Sequence, residues 1–379
     1  MRILWHSNAP WAATGYGNQT KVFVHRLQAA GHKLGISAFY GLQGGVLNLG
    51  EIPVYPKGGT DYGGDVFGAH ATYFGADIAI SLIDAWVMDA AMFPGIKWVP
   101  WFPVDMEPLP PPVASAVAKA YRRIVFSRFG ERMVNDAGMD CYYVPHGVDT
   151  NIYRPYDRGE ARKALGWPGD KFIVGMVAAN KDYPSRKNWP AALAAFAEFA
   201  KTHPTAMLYA HTAAQMGVDI VGIASGLGLN DRILIVDQYK SMLGGISEDV
   251  MAMMYSGMDV LLNPANGEGF GIPILEAQAC GTPVIVGDWT AMSEICFGGY
   301  AIPKNDAERF WTPLNAYQYM PHVKGIRKGL EWAWQNASSE RIKQKCVDGA
   351  KRYDADRVVQ EYWLPVLADI EKRVNLWRE

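Results

Sequence analysis

The stretch Asn263-Pro264-Ala265-Asn266-Gly267-Glu268-Gly269-Phe270-Gly271-Ile272-Pro273-Ile274-Leu275-Glu276-Ala277-Gln278-Ala279-Cys280-Gly281-Thr282-Pro283-Val284-Ile285 reads as a strand end, a glycine-rich turn, a helix, a glycine stop and a second strand. Pro273 suits the first turn of a helix, where its missing N–H costs nothing. Gly281 suits the position just past the helix end. The glycines let backbone approach a ligand with no Cβ in the way. The N–H groups of Gly269, Phe270 and Gly271 fall at the helix start, where amides lack intrahelical partners and attract hydroxyls or anions. Glu268 sits in the turn and Glu276 eight positions on, inside the helix. A carboxylate accepts strong hydrogen bonds on both oxygens, so each suits a vicinal diol. The blander reading makes Glu268 a partner of the helix dipole, about 0.3–1 kcal/mol, and Glu276 a solvated residue.

Outward from this stretch, short apolar runs alternate with helical patterns. In the second half, strands are expected over residues 171–178, 205–209, 232–236, 260–263 and 283–286, and helices over 189–201, 217–226, 248–256 and 273–279. In the first half, strands are expected over 2–6, 34–39, 78–82, 96–101, 123–127 and 141–144, with helices over 18–30, 112–120 and 128–137. Such alternation argues βαβ units and mostly parallel sheets. The turn-rich stretch 145–169 separates the halves. After them, 314–336, 339–353 and 356–377 read as helical. The expected fold is α/β: two Rossmann-like doubly wound domains facing across a cleft, with a C-terminal helical segment. Ligands of such sheets sit beyond the carboxyl ends of the strands.

At 379 residues the chain exceeds what one core usually supports, which agrees with two domains. With 36 basic and 38 acidic side chains, a formal charge of −2 argues against a partner held mainly through phosphates. Cys141, Cys280, Cys296 and Cys346 form no CxxC pair and no metal-ligand spacing. Reduced thiols in a cytoplasmic protein are therefore expected, with no metal. The N-terminus turns polar too soon for a signal peptide, and no apolar run is long enough for a spanning helix.

The segment 263–285 resembles the E-x7-E signature of the family 4 retaining glycosyltransferases, which have the GT-B fold. Val144-Pro145-His146-Gly147-Val148-Asp149-Thr150 resembles that family's P-[NH]-G-V-D segment, and residues 176–188 its loop opening the C-terminal domain. The similarity runs from about Tyr142 to about Gly299. It implies an acceptor-side domain over 1–150, a nucleotide-sugar-binding domain over 151–354, and a C-terminal helix over 355–379 crossing back. It gives Glu276 to the donor ribose, and Glu268 with the amides of Gly269, Phe270 and Gly271 to the donor hexose. The diphosphate falls to the loop Asn180–Asn188. The family usually places an Arg and a Lys six positions apart there, whereas this chain offers Lys181 and Lys187, with Arg186 as a possible fork. Independently of family, three cations within seven residues after a strand suit a diphosphate leaving group, although such clusters are more often solvated faces.

Thr14-Gly15-Tyr16-Gly17-Asn18 follows the first strand, but Thr20 stands where a dinucleotide fingerprint needs its third glycine. In the resembled family a glycine-rich loop here lies near donor phosphate and acceptor, which brings in Gly15 and Gly17. Near residue 103 the family often carries a His; here Asp105 is the best polar candidate and Glu107 the second, with capping of the following helix as the alternative. His211 follows a strand and is a nucleotide-contact candidate. His6 reads as a satisfied core residue, and His146 as ordering the stretch between the domains. Trp5, Trp11, Trp98 and Trp101, of 13 tryptophans, cluster near strand ends and suggest either packing or an acceptor platform.

The resemblance implies a retaining, metal-independent hexosyltransferase with a nucleoside diphosphate sugar as co-substrate and no other cofactor. Glu268, Lys187, Lys181 and Asp105 are its expected catalytic set. The acceptor stays open between saccharide, lipid, protein and nucleic-acid base. An epimerase-type or phosphorylase GT-B enzyme, a non-catalytic nucleotide-sugar-binding protein, and a modifier of nucleic acid remain as alternatives.

Overall fold

A computed structural model describes residues 1–376. The chain divides into two compact units: Met1–Gly147 with Pro313–Ala316 and the segment from Tyr353 onward, and Val148–Thr312 with Tyr317–Arg352.

The first unit holds strands β1 (Arg2–Asn8), β2 (Lys33–Tyr40), β3 (Leu47–Leu49), β4 (Ile52–Tyr55), β5 (Ile78–Leu82), β6 (Trp98–Phe102), β7 (Ile124–Val125) and β8 (Tyr142–Tyr143). They form one sheet in the order β3-β4-β2-β1-β5-β6-β7-β8, parallel except for β3 against β4. The strands are continuous apolar runs because helices cover both faces. Trp5, Trp98 and Trp101 are buried, so these three are core and not a platform. Trp5, Trp101, Trp363 and Phe23 pack edge-on or tilted at ring separations of 4.9–5.8 Å. Trp363 lies on the C-terminal segment, so that segment completes the core of the first unit.

The second unit holds β9 (Phe172–Val177), β10 (Ala206–His211), β11 (Ile233–Ile235), β12 (Val260–Asn263), β13 (Val284–Gly287) and β14 (Gly299–Ile302). Their order is β11-β10-β9-β12-β13-β14, and every adjacent pair is parallel. This is the doubly wound order in which the winding reverses between the first strand and the fourth, here β9 and β12. In the first unit the same reversal falls between β1 and β5.

Several stretches differ from the sequence expectation, among them β14, the helix Arg158–Leu165 and the short helix Gln238–Met242, where no element is expected. Residues 314–336 are not one helix: β15 (Ala307–Trp311) and β16 (Tyr317–Pro321) pair as an antiparallel hairpin, and the helix begins at Val323. The alternating Tyr317-Gln318-Tyr319 is strand chemistry, and a partner strand six to ten residues upstream decides it. Between residues 40 and 77 the pattern marks no element, yet β3, β4 and a helix over Gly64–Phe74 form there. That helix is flanked by glycines at φ 65° and 66°, not by polar caps. The expected helix 356–377 is interrupted by a π turn over Val359–Trp363, and its last residue, Trp377, lies outside the described residues. No helix among the described residues is long and apolar enough to cross a membrane.

Candidate functional site

β9 and β12 pair directly, Val174 with Val260 and Gly175 with Leu261. The loops that leave their carboxyl ends, residues 178–188 and 264–271, therefore meet at the winding reversal. Backbone ties them: Asn266 N–H donates to the Arg186 carbonyl at 2.9 Å, and the Arg186 guanidinium donates to the Gly267 carbonyl at 2.7 Å. Between the loops sits Glu268, 7% exposed. Lys187 Nζ bonds Glu268 Oε1, and Arg186 lies 3.6 Å from Oε2. Burial by itself raises the Glu268 pKa, but the Lys187 and Arg186 cations, with hydrogen bonds from Lys187 and Asn263, outweigh it and hold the carboxyl below its ordinary value. Glu268 is thus an anion at neutral pH, and the bland reading of it as a helix-dipole partner is too small a role.

Glu276 has the opposite environment. It is buried on the helix Ile272–Ala279, where Tyr255 donates to its Oε2 at 2.7 Å and Tyr153 donates a second bond. Burial dominates, and despite both tyrosines it pushes the carboxyl up to about 7. It is not a solvated helix residue. Gly271, just before this helix, has φ 101°, and a Cβ there would lie 2.6 Å from the Ile274 side chain, so only glycine fits. The N–H groups of Gly269 and Gly271 donate to no protein group among the described residues. Phe270 is buried.

Of the remaining second-unit residues, Lys181 is exposed and makes no ion pair among the described residues, so Arg186 and Lys187, not Lys181, are the cations brought to Glu268. His211 ends β10 and accepts the Ala178 N–H on its carbonyl at 3.4 Å, beside the start of the cationic loop. Its ring bonds the Tyr209 hydroxyl at 2.9 Å, and burial lowers its pKa to about 4, so it is neutral.

Sequence reasoning missed the supports. Thr290 adopts φ 55°, a genuine outlier for a β-branched residue, and its Oγ1 accepts the Glu268 N–H at 3.2 Å. Asn180 bonds the Ala213 and Val218 carbonyls and the Val218 N–H, which pins the cationic loop to the next one. Tyr153 and Tyr255 lie over a hundred residues apart in one case and on a separate helix in the other, so no local spacing announces their meeting at Glu276.

In the first unit, Gly15 opens the helix Gly15–Ala29 and is exposed, while Gly17 is buried. A Cβ on Gly17 would stand 2.3 Å from the Ala12 carbonyl, so that position needs glycine for packing. Thr14 caps this helix by accepting the Gly17 N–H at 3.0 Å. Asp105 is partly buried after β6. The helix that follows, Pro111–Ala118, has Pro110 at its cap position, and Pro110 makes no side-chain bond there. His6 is fully buried between Ser37 and the Tyr62 carbonyl, both at 2.9 Å, a satisfied core histidine. His146 bonds Gln19 at 3.0 Å, and Gln19 also holds both backbone groups of Gly147.

Residues 176–316 match the glycosyl transferases group 1 family. The matched segment spans the cationic loop, Glu268 and Glu276. A D-inositol 3-phosphate glycosyltransferase of Actinosynnema mirum is 32% identical over 148 residues, 38% of this chain and 34% of that relative. The lipopolysaccharide core biosynthesis mannosyltransferase LpsB of Rhizobium meliloti is 32% identical over 169 residues, 41% of this chain and 42% of that relative. The chain thus covers well under half the length of these curated relatives. Among solved structures, sucrose-phosphate synthase of Thermosynechococcus elongatus superposes with TM-score 0.77 at 16% identity, covering 99% of both chains. Anabaena HepE in complex with UDP-glucose superposes at 0.68 and 15% identity, covering 97% of this chain and 100% of that one. The fold is GT-B.

Proposed function

We propose that the protein is a retaining glycosyltransferase that moves a hexosyl group from a nucleoside diphosphate sugar to an acceptor hydroxyl. One observation carries the reading: a buried carboxylate, Glu268, is held by two cations at the winding reversal of a doubly wound parallel sheet, eight positions before a second buried carboxyl, Glu276. The matched family segment and the UDP-glucose complex of a GT-B neighbour support it.

In this reading Lys187 and Arg186 receive the diphosphate, and Glu268, released from part of their charge, accepts hydroxyls of the hexose. The Gly269 and Gly271 amides add donors. Glu276 accepts from the ribose diol, with Tyr153 and Tyr255 fixing its orientation. As the bond from the anomeric carbon to the leaving phosphate oxygen breaks, negative charge grows on that phosphate, where the two cations stabilise it without reorganisation. The acceptor oxygen bonds the same carbon on the same face, and its proton passes to the leaving phosphate. The counter-charge comes from side chains, so the scheme calls on no metal. Gly15, Gly17 and Asp105 are assigned to the acceptor side, and His211 to the nucleotide. Lys181 is assigned to a second line of charge outside the Glu268 pair.

The test is a thermal-shift screen with uridine, guanosine and adenosine diphosphate sugars, followed by product analysis. A ligand at about 100 times its Kd stabilises the fold by about 2.7 kcal/mol. Lys187→Ala and Glu276→Ala should shrink that shift. A melt unmoved by every donor sinks the proposal, and an anomeric product of inverted configuration removes its retaining part.

A further inference from the structure

We propose that Trp289 and Tyr319 are positioning residues for Glu268: together with the hairpin β15–β16 they fix the turn Ala265–Glu268 in the geometry that the leaving group needs. The kinetic consequence rests on the transfer reading; the anchoring itself rests on backbone geometry. The turn is held by its carbonyls, and four in a row are taken: Ala265 by the Trp289 indole N–H at 3.1 Å, Asn266 by the Tyr319 N–H at 3.1 Å, Gly267 by the Arg186 guanidinium at 2.7 Å, and Glu268 by the Ala291 N–H at 3.4 Å. A trans peptide plane points its C=O and its N–H opposite ways. The Glu268 carbonyl is turned toward Ala291, so the Gly269 N–H in the same plane faces the other way, and it donates to no protein group among the described residues. Holding the carbonyls thus presents the amide and the carboxylate together, a preorganised arrangement in which little has to move as charge develops.

The hairpin supplies one of these anchors from the edge of β16 that β15 leaves open. Tyr319 lies opposite Arg309 of β15, yet its N–H goes to Asn266, so its main-chain groups point away from β15. Main-chain groups two residues further along a strand share that edge. There the Pro321 carbonyl accepts from Asn188 Nδ2 at 3.3 Å. Asn188 directly follows Lys187, so one edge of β16 holds both the turn that carries Glu268 and the loop that carries its cation. The side chains join the two anchors. The Tyr319 ring stacks on Trp289 at 5.7 Å and 27°, and the Lys304 ammonium lies 4.7 Å over it. Both rings are buried, at 2% exposure for Trp289 and 8% for Tyr319. β16 begins directly after the segment that matches the family, 176–316, so that match assigns it nothing.

The experiment runs amide hydrogen exchange by mass spectrometry beside steady-state kinetics with the nucleotide sugar, on the full chain and on Trp289→Phe, Tyr319→Leu and Tyr319→Phe. Trp289→Phe keeps a ring and loses the indole N–H, so it reports even if Tyr319→Leu folds poorly. The Asn266 and Glu268 amides, bonded to the Arg186 carbonyl and the Thr290 hydroxyl, are the probes. In Trp289→Phe and Tyr319→Leu, exchange over residues 264–271 should quicken about tenfold, the loss of one good bond, while residues 272–279 keep their protection. The same two variants should lower kcat about ten- to a hundredfold and leave the donor KM within about twofold, the signature of a misplaced group and not of lost binding. Tyr319→Phe keeps the stack and should outrank Tyr319→Leu in kcat. Unchanged exchange over 264–271 in both variants, a raised KM with kcat intact, or equal kcat for the two Tyr319 variants overturns the proposal. Quickened exchange in a protein that transfers sugar from no donor would instead overturn the transfer reading and leave the anchoring standing.

Discussion

Glu276→Gln should make the protein more stable at alkaline pH while weakening donor binding. Burial lifts the Glu276 carboxyl from 4.5 to about 7. Between those values the folded protein keeps a proton that the unfolded chain has released, so stability falls as pH rises through this window and the penalty is complete above it. At about 1.4 kcal/mol per pH unit, the full penalty is about 3 kcal/mol. Glutamine carries no charge, fills the same space and can still accept from Tyr255. The variant should match the natural protein near pH 4.5 and exceed it at pH 8.5, with a gap in melting temperature that opens by several degrees, at roughly 2–4 °C per kcal/mol. Circular dichroism melts of both proteins from pH 4.5 to 8.5 measure the gap. Tyr255→Phe removes a bond that favours the anion, so in that background the gap should open further. The same Glu276→Gln change should raise the KM for donor, because the amide presents one acceptor where the carboxylate presents two. A gap independent of pH, or a natural protein more stable at every pH, would refute the reasoning.

Lys187→Ala should cost about 2–4 kcal/mol at pH 7, less than a fully broken buried pair because Arg186 remains; Glu268 is held below its ordinary value of 4.5, so the cost should be intact above that value and fade as pH falls below it, measured by urea melts at pH 7 and along an acid series. Glu268→Gln frees Lys187 from its partner, so isothermal titration should show free nucleoside diphosphate bound more tightly while turnover with the sugar nucleotide drops. Thr290→Ala leaves the buried Glu268 N–H without an acceptor and should cost about 1–3 kcal/mol; Thr290→Gly loses the same bond but relieves φ 55°, so in melting experiments glycine should outrank alanine, the reverse of the usual order. Gly17→Ala should destabilise by about 1–3 kcal/mol in denaturant titrations, since its Cβ would stand 2.3 Å from a backbone carbonyl that cannot swing aside.

The doubly wound sheets were legible because each strand's evidence is local. Buried parallel strands are short apolar runs, and Pro273 and Gly281 punctuate a helix within a few residues of where it starts and stops. The hairpin over Ala307–Pro321 was not legible, because each strand is stable only against the other and neither run decides between helix and strand alone. The helix over Gly64–Phe74 escaped for a related reason. Its ends are glycines in the left-handed region, which sequence reading takes as loop.

At the candidate site, the places of Glu268 in a turn and Glu276 on a helix were legible in the sequence, and their charge states were not. Glycines flanking Glu268 and a helix carrying Glu276 point to two carboxyls at a ligand, but nothing local says that one is an anion and the other half-protonated near pH 7. That difference comes from partners supplied by other strands and helices: Lys187 and Arg186 from the loop after β9 for Glu268, Tyr255 and Tyr153 for Glu276. The choice among Lys181, Arg186 and Lys187 was likewise a three-dimensional question. Arg186 and Lys187 are adjacent in sequence, yet both reach Glu268, because the left-handed Asn188 at φ 59° and the Asn266–Arg186 backbone bond set the loop against its neighbour. Lys181, earlier in the loop, stays in solvent. A seven-residue span with three cations therefore marks the cationic loop, while the fold around it decides which cation answers the carboxylate, and through that which charge a diphosphate would have to compete with on arrival.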